Sequence, residues 1–319
     1  MKKLFITSTS SSAGKTAIGL AVALNYSGNV GYFKPFSLND DAHLFHAVVG
    51  SPPSPETFTE NKGTLKDQFN MLAEGKDVMI IESGPNLSYG AYENLSSMDV
   101  ASSLKLAPVI VVQGSTEVIV DKLSMAKSCF SKIKGVIINK ISYSTLHETE
   151  SFTIPLIEDI GIPVLGAVPS YKTLRTFTTH DILELLPAEI VCEEGMERGI
   201  DTVLVGAMSF NAALTYFRRF ADKVVVTGGD RAEIMLAAME TSTSCIVATG
   251  GVRPSPPVIK KGVELKIPII MVKGDTYSAA KTIQNIRPVI RPGDTEKITL
   301  IRKRLSQHIQ MNALFSGEM

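Results

Sequence analysis

Leu4-Phe5-Ile6-Thr7-Ser8-Thr9-Ser10-Ser11-Ser12-Ala13-Gly14-Lys15-Thr16 is the stretch that decides the fold of this chain. A short apolar, β-branched run ends in small polar residues and passes through Gly-Lys-Thr into a helical pattern at 15–26. Strand, loop and helix in that order are the context a phosphate-binding loop requires. Backbone N–H groups and the dipole at a helix N-terminus make an anion site; Lys15 would reach the β and γ phosphates of a nucleoside triphosphate, and Thr16 would ligate magnesium. The loop residues expected to bind are therefore Ser11, Ser12, Ala13, Gly14, Lys15 and Thr16. Such loops usually begin with a glycine where this chain has Ser8 and Thr9. If that position needs positive φ, a side chain there costs about 1–2 kcal/mol. The competing reading is a serine-rich turn that only caps a helix.

Outward from the loop, apolar runs at 30–33, 78–81, 108–112, 135–138 and 163–168 alternate with helical patterns at 65–73, 98–106 and 117–130. Continuous hydrophobicity suits strands buried on both faces, and the alternation implies a parallel sheet covered by helices. A second series follows the polar stretch 170–179, with strands expected at 202–205, 223–226, 245–248 and 268–272. With 319 residues two domains are expected, 1–187 and 188–319, the seam falling near Ala188 after a helix at 181–186 that Pro187 ends. The segment 295–310 reads as an amphipathic helix, with Ile298, Ile301, Leu305 and Ile309 packed on the second domain.

Ligands of open parallel sheets bind at the C-terminal ends of the strands, so the residues there are the candidates. Lys34 follows the second strand, Asp40 and Asp41 lie in the next loop, and Glu82 ends the third strand. Magnesium favours one or two carboxylates plus phosphate oxygens, which Asp41 and Glu82 could supply. Each also has a plain structural reading: Lys34 as a solvated strand end, the aspartates as a helix cap, Glu82 as an ion-pair partner. In the second half Gly206-Ala207-Met208-Ser209, Thr227-Gly228-Gly229-Asp230-Arg231, Thr249-Gly250-Gly251 and Lys273-Gly274-Asp275-Thr276 all follow expected strands. Glycines there let the backbone approach a ligand whose polar groups Asp230, Arg231 and Asp275 could fix; equally, they could only make tight turns.

The first half resembles the dethiobiotin synthetase superfamily, the P-loop group that includes the cobyrinic acid amidating enzymes. The resemblance is carried by Gly14-Lys15-Thr16, Gly31-Tyr32-Phe33-Lys34-Pro35, Asp41-Ala42, Ile81-Glu82-Ser83-Gly84, the run 135–140 ending in Asn139-Lys140, and the run 162–169. It implies Thr16, Asp41 and Glu82 as magnesium ligands, Asn139 facing adenine, and Lys15 and Lys34 as the catalytic cations. Those synthetases have aspartate in place of Ser10, glycine in place of Ser8, and Glu-Gly-Ala-Gly where this chain has Glu82-Ser83-Gly84-Pro85. The second half resembles the DRTGG domain through Asp230, Arg231, Thr249, Gly250 and Gly251, supported by 205–209 and 216–220.

The pair in this order resembles the N-terminal half of long bacterial phosphotransacetylases, where it regulates a separate acyl-transfer domain. The expected fold is thus an α/β P-loop NTPase-type domain followed by a smaller α/β DRTGG domain. The expected function is an ATP- and Mg2+-binding regulatory protein whose second domain senses a small molecule or mediates assembly, with Asp230, Arg231 and Gly250 as ligand contacts; phosphotransacetylase activity is not expected of this chain by itself. The alternative is an ATP-dependent ligase activating a small carboxylate. A homodimer is expected from the resemblance and the symmetric habit of such enzymes.

Composition bounds the rest. Lys+Arg equals Asp+Glu at 32 each, which argues against a nucleic-acid footprint and means any bound anion is held locally. Cys129, Cys192 and Cys245 lie far apart, with neither metal-ligand spacing nor a disulfide framework, and are expected as buried reduced thiols. No stretch reaches the roughly 18 apolar residues of a membrane span, so a cytoplasmic protein is expected.

Overall fold

The computed structural model describes residues 1–35, 41–51 and 65–315. Asp40 lies outside them. The chain divides into two compact units, Met1–Tyr171 with Ile290–Met319, and Lys172–Val289.

The first unit is built on six strands, β1 (Lys2–Ser8), β2 (Val30–Phe33), β3 (Val78–Glu82), β4 (Val109–Val112), β5 (Gly135–Ile141) and β6 (Val164–Pro169), in the order β2-β3-β1-β4-β5-β6. All pairings are parallel. Each of the six expected strands is present. On one face Phe5, Phe33, Met79, Ile81, Ile110, Val112, Val136 and Ile138 pack against Phe69, Val100, Leu104, Ile119, Leu123 and Ile157 from helices Leu65–Ala73, Ser97–Leu104, Thr116–Cys129 and Ile154–Asp159. The first helix, Lys15–Asn25, lies on the opposite face, where a Cβ on Gly19 would meet Phe45, Ile80 and Ile6. Strand β1 connects outward across β3 to β2, whereas β3 connects across β1 to β4. The connections therefore part beside β1, and a crevice opens at the C-terminal ends of β1 and β3.

The second unit carries β7 (Ala188–Cys192), β8 (Thr202–Val205), β9 (Lys223–Gly228), β10 (Thr243–Thr249) and β11 (Ile269–Val272), ordered β7-β11-β10-β9-β8. Only β7 runs antiparallel, against β11. Alternation divides the sheet into two cores. Leu204, Val225, Ile246 and Ile269 pack with Phe217, Met235 and Val258, while Val224, Val226, Cys245, Val247 and Ile270 pack with Phe177, Ile182 and Ile283.

Three expectations need correction. Ala188 is not a seam but the first residue of β7, an edge strand inside the second unit, and the units divide at Tyr171 and Lys172. The 295–310 segment is not one helix on the second unit. It is Thr295–Lys303 followed by a 3-10 turn, Leu305–His308, and it belongs to the first unit, where Gly166 bridges Ile309 and the Gln310 N–H donates to the Leu165 carbonyl at 2.8 Å. Its stripe seeks the apolar cover that the first helix and β6 offer: Ile301, Leu305 and Ile309 are buried, Ile298 only half so. Finally, Cys129 is exposed, on the outer side of its helix; Cys192 and Cys245 are buried, and all three are free thiols. No helix among the described residues is long and apolar enough to cross a membrane.

Candidate functional site

Strand β1 delivers the loop Thr9–Gly14 to the crevice, and two residues in it adopt positive φ, Ser12 at 56° and Gly14 at 94°. The strain thus falls on Ser12, not on Ser8 or Thr9. Gly14 is the residue before the first helix turn, and a Cβ there would lie 2.3 Å from the Asn139 side-chain amide, so glycine is required twice over. From Ser10 through Thr16 no backbone N–H finds an acceptor among the described residues. The buried hydroxyls of Thr9 and Ser10 are likewise without partners.

Lys15 is the first residue of the helix and is buried, yet its ammonium meets only neutral acceptors, the Ser8 hydroxyl at 2.9 Å and the Pro85 carbonyl at 3.4 Å. Burial pushes its pKa below the ordinary lysine value, against the pull of Glu82. An unpaired buried cation beside free amides is a local demand for an anion. Asn139, at the end of β5, donates its amide to the Ala13 carbonyl at 2.7 Å, and Lys140 donates to the Ser12 carbonyl at 2.6 Å. Here Asn139 braces the loop, a contact that sequence reasoning had not foreseen.

One residue further along the helix, the Thr16 hydroxyl donates to Glu82 Oε1 at 3.1 Å. The other carboxylate oxygen accepts from the Tyr32 hydroxyl at 3.0 Å. Lys34 pairs with Glu82 Oε1 at 3.2 Å and with Asp41 Oδ2. Parallel register explains the meeting: Tyr32 lies opposite Ile80, and Glu82 stands two residues further along β3 on that face. Burial alone would lower the Lys34 pKa, but the carboxylates of Glu82 and Asp41 outweigh it and raise it above the ordinary value. Asp41 is raised by burial and by Glu82, with Lys34 opposing. Tyr32 is raised by burial and the same carboxylate, which keeps it a hydrogen-bond donor. Tyr32 was legible in principle, since 32 and 34 share one side of an extended chain. Of the expected metal ligands, Thr16 and Glu82 thus meet directly and Asp41 joins Glu82 through Lys34, and a hydroxyl with two carboxylates is a donor set that fits magnesium.

In the second unit a pocket of about 800 Å³ lies at the ends of β8 and β9, lined by Gly206, Gly228, Asp230 and Arg231 and by Thr276, Tyr277, Lys281 and Gln284 of helix Thr276–Gln284. Arg231 pairs with Glu233 at 2.8 Å and donates to the Met208 carbonyl at 3.0 Å. Asp230 is exposed and carries no ion pair among the described residues. Gly250 is not among the lining residues; its φ of 78° lets its N–H reach the Gly274 carbonyl at 2.9 Å, a tight-turn role. Asp275 likewise caps a helix, accepting from the Ser278 N–H at 2.9 Å. Tyr277, Lys281 and Gln284 escaped the sequence reading because they lie inside a helix rather than at a strand end.

Comparison with known proteins agrees with this two-part architecture. Residues 36–177 match the AAA domain model and residues 181–286 the DRTGG domain model. The first match takes in Asp41, Glu82 and Asn139; the phosphate loop lies just ahead of it. The chain is 26% identical to a phosphate acetyltransferase of Nitrosomonas europaea across 98% of this chain and 51% of that protein, so it spans about half the length of that relative. It is 29% identical to a cobyrinate a,c-diamide synthase of Methanocaldococcus jannaschii across 57% of this chain and 47% of the other. Among solved structures, the CBS and DRTGG domains of a Clostridium perfringens pyrophosphatase regulatory region, complexed with the activator diadenosine tetraphosphate, share 30% identity over 37% of this chain and 50% of that one, with a TM-score of 0.32. The chain therefore joins a P-loop domain of the AAA type to a DRTGG domain, and the two together align with about half of a phosphate acetyltransferase.

Proposed function

We propose that the chain is a nucleotide-binding regulatory protein: ATP with Mg2+ occupies the loop of the first unit, and the pocket of the second unit reads a small-molecule ligand. The observation that carries this is the buried Lys15 ammonium, held among the described residues by neutral acceptors, beside a run of backbone N–H groups with no acceptor among those residues. A polyphosphate would meet both demands, and also the hydroxyls of Thr9 and Ser10. Thr16, Asp41 and Glu82 would hold the metal, which when bound supplies neutralisation of the phosphate charge. Titration calorimetry with ATP and Mg2+ tests the reading. One site per chain is expected for wild type, and no binding by wild type would end it.

The regulatory assignment is supported by the likeness to half of a phosphate acetyltransferase and by the loose, exposed lining of the second pocket. A cytoplasmic homodimer is proposed alongside it, checked by light scattering and fractionation. A ligase is the second reading, favoured by Lys34 held beside the loop and by the cobyrinate a,c-diamide synthase relatives. It requires ADP release that depends on a carboxylate substrate and falls in Lys34→Ala; ADP release indifferent to every acid tried would leave the regulatory reading alone.

A further inference from the structure

Of the described groups that would hold a divalent cation, Glu82 and Asp41 are directly occupied by a cation of the protein's own. Lys34 touches Glu82 Oε1 and Asp41 Oδ2, and Glu82 Oε1 is the oxygen that also accepts from Thr16. The cluster is closed in: the side chains of Lys34, Glu82 and Asp41 are 7%, 3% and 15% exposed. Two carboxylates buried this close together need a counter-charge. Lys15, the other buried cation nearby, lies on Ser8 and Pro85 instead. Lys34 therefore does in this state what a divalent cation would do in the liganded one, and both cannot sit on Glu82 Oε1 and Asp41 without strong like-charge repulsion.

We propose that Lys34 is a resident counter-cation that competes with the divalent metal for Asp41 and Glu82, so that metal entry frees its ammonium to face the nucleotide's phosphates. This rests on the reading of Thr16, Asp41 and Glu82 as the metal ligands and adds a displacement that this reading alone does not require. Two consequences follow. The protein binds divalent metal weakly without nucleotide, because each ion must first displace a salt-bridged lysine; and removing the ammonium while keeping its aliphatic stem strengthens bare-metal binding rather than weakening it. A lysine that served only to bind phosphate would leave bare-metal affinity unchanged.

The test is Mn2+ binding to the full chain without nucleotide, followed by the electron paramagnetic resonance signal of the free ion, in wild type and Lys34→Met. We expect Lys34→Met to bind Mn2+ at least tenfold tighter, and to melt lower than wild type in chelator but recover with Mn2+. Equal or weaker Mn2+ binding by the variant overturns the proposal. Should Lys34→Met not fold, wild type alone decides: acetylation of Lys34, read by mass spectrometry, is expected to be slow in chelator and several-fold faster with saturating Mn2+ and no nucleotide, and a rate that does not rise overturns the proposal. ADP binding in chelator separates the failures, since ADP that binds while the Mn2+ comparison fails removes only the displacement, and ADP that does not bind removes the nucleotide site itself.

Discussion

Both units present the C-terminal ends of parallel strands to a crevice, but they furnish those ends in opposite ways. In the first unit Lys34, Glu82 and Tyr32 are buried and locked into one network with Thr16 and Asp41, and Lys15 is buried on Ser8 and Pro85. In the second, Asp230 and Tyr277 are exposed, Arg231 is half-exposed, and the pairings are surface ones. A buried, mutually oriented set holds charges where a transferring or tightly bound phosphate needs them. An exposed set costs little to disturb and suits reversible recognition of a ligand. The same kind of sheet edge becomes a rigid charge cluster or a loosely held set according to how far its side chains are withdrawn from water.

The largest effect that could break this contrast is expected at Glu82. Glu82→Gln removes the charge that pairs with Lys34 and weakens the acceptor of Thr16 and Tyr32, so denaturant unfolding should show a loss of about 3 kcal/mol, the scale for breaking a buried ion pair. A loss below 1 kcal/mol would mean the cluster is not closed to water. Next comes Lys15→Met. It should weaken ATP binding by roughly 10- to 100-fold, since a charge-assisted contact is worth about 1.5–3 kcal/mol, while leaving the unliganded protein as stable as wild type or slightly more so, because the ammonium it removes has no counter-ion. In the second unit Arg231→Ala should change stability by no more than about 1 kcal/mol, as expected for a surface pair.

The smallest effects lie in the pH dependence, and they separate the units by window. Lys15 has a folded pKa below its ordinary 10.5, so the native state binds fewer protons than the unfolded one between the two values. Stability relative to Lys15→Met should therefore rise as pH climbs through that interval. Lys34 has the opposite sign: its contribution is complete below 10.5 and is lost only as pH passes its raised folded value. Asp275 in the second unit is held below its ordinary 3.8 by the Ser278 N–H, so its contribution is present above 3.8 and lost as pH falls through the depressed value. Comparing Asp275→Asn with wild type across acid pH, and the two lysine variants across alkaline pH, reads these signs directly.

How much of this was legible depended on whether the signal was local. The six strands of the first sheet declare themselves because a strand covered on both faces has to be apolar throughout, as in Val78-Met79-Ile80-Ile81. The phosphate loop is equally local, a strand, small residues and Gly-Lys-Thr in line. By contrast β7, Ala188–Cys192, is half-exposed at a sheet edge and follows Pro187, so its pattern reads as a linker. The stripe Ile301, Leu305, Ile309 announces a buried face but not which unit covers it. Asp41 and Glu82 were legible together as carboxylates of one rim, but their pairing with Lys34 was not, because strand order and not sequence spacing brings Lys34 between them. The lining of the second pocket by Tyr277, Lys281 and Gln284 follows from which helix covers β8 and β9, a fact that no spacing rule encodes.

Main-chain amides of the loop and the Lys15 ammonium are proposed to form a polyphosphate cradle at the head of the first helix. ADP titrated calorimetrically into wild type and Lys15→Met, without divalent metal, addresses the cradle apart from everything around it. Saturable one-to-one binding to wild type and at least tenfold weaker binding to the variant are expected. Equal affinity for the two proteins, or no heat from either, would contradict the cradle.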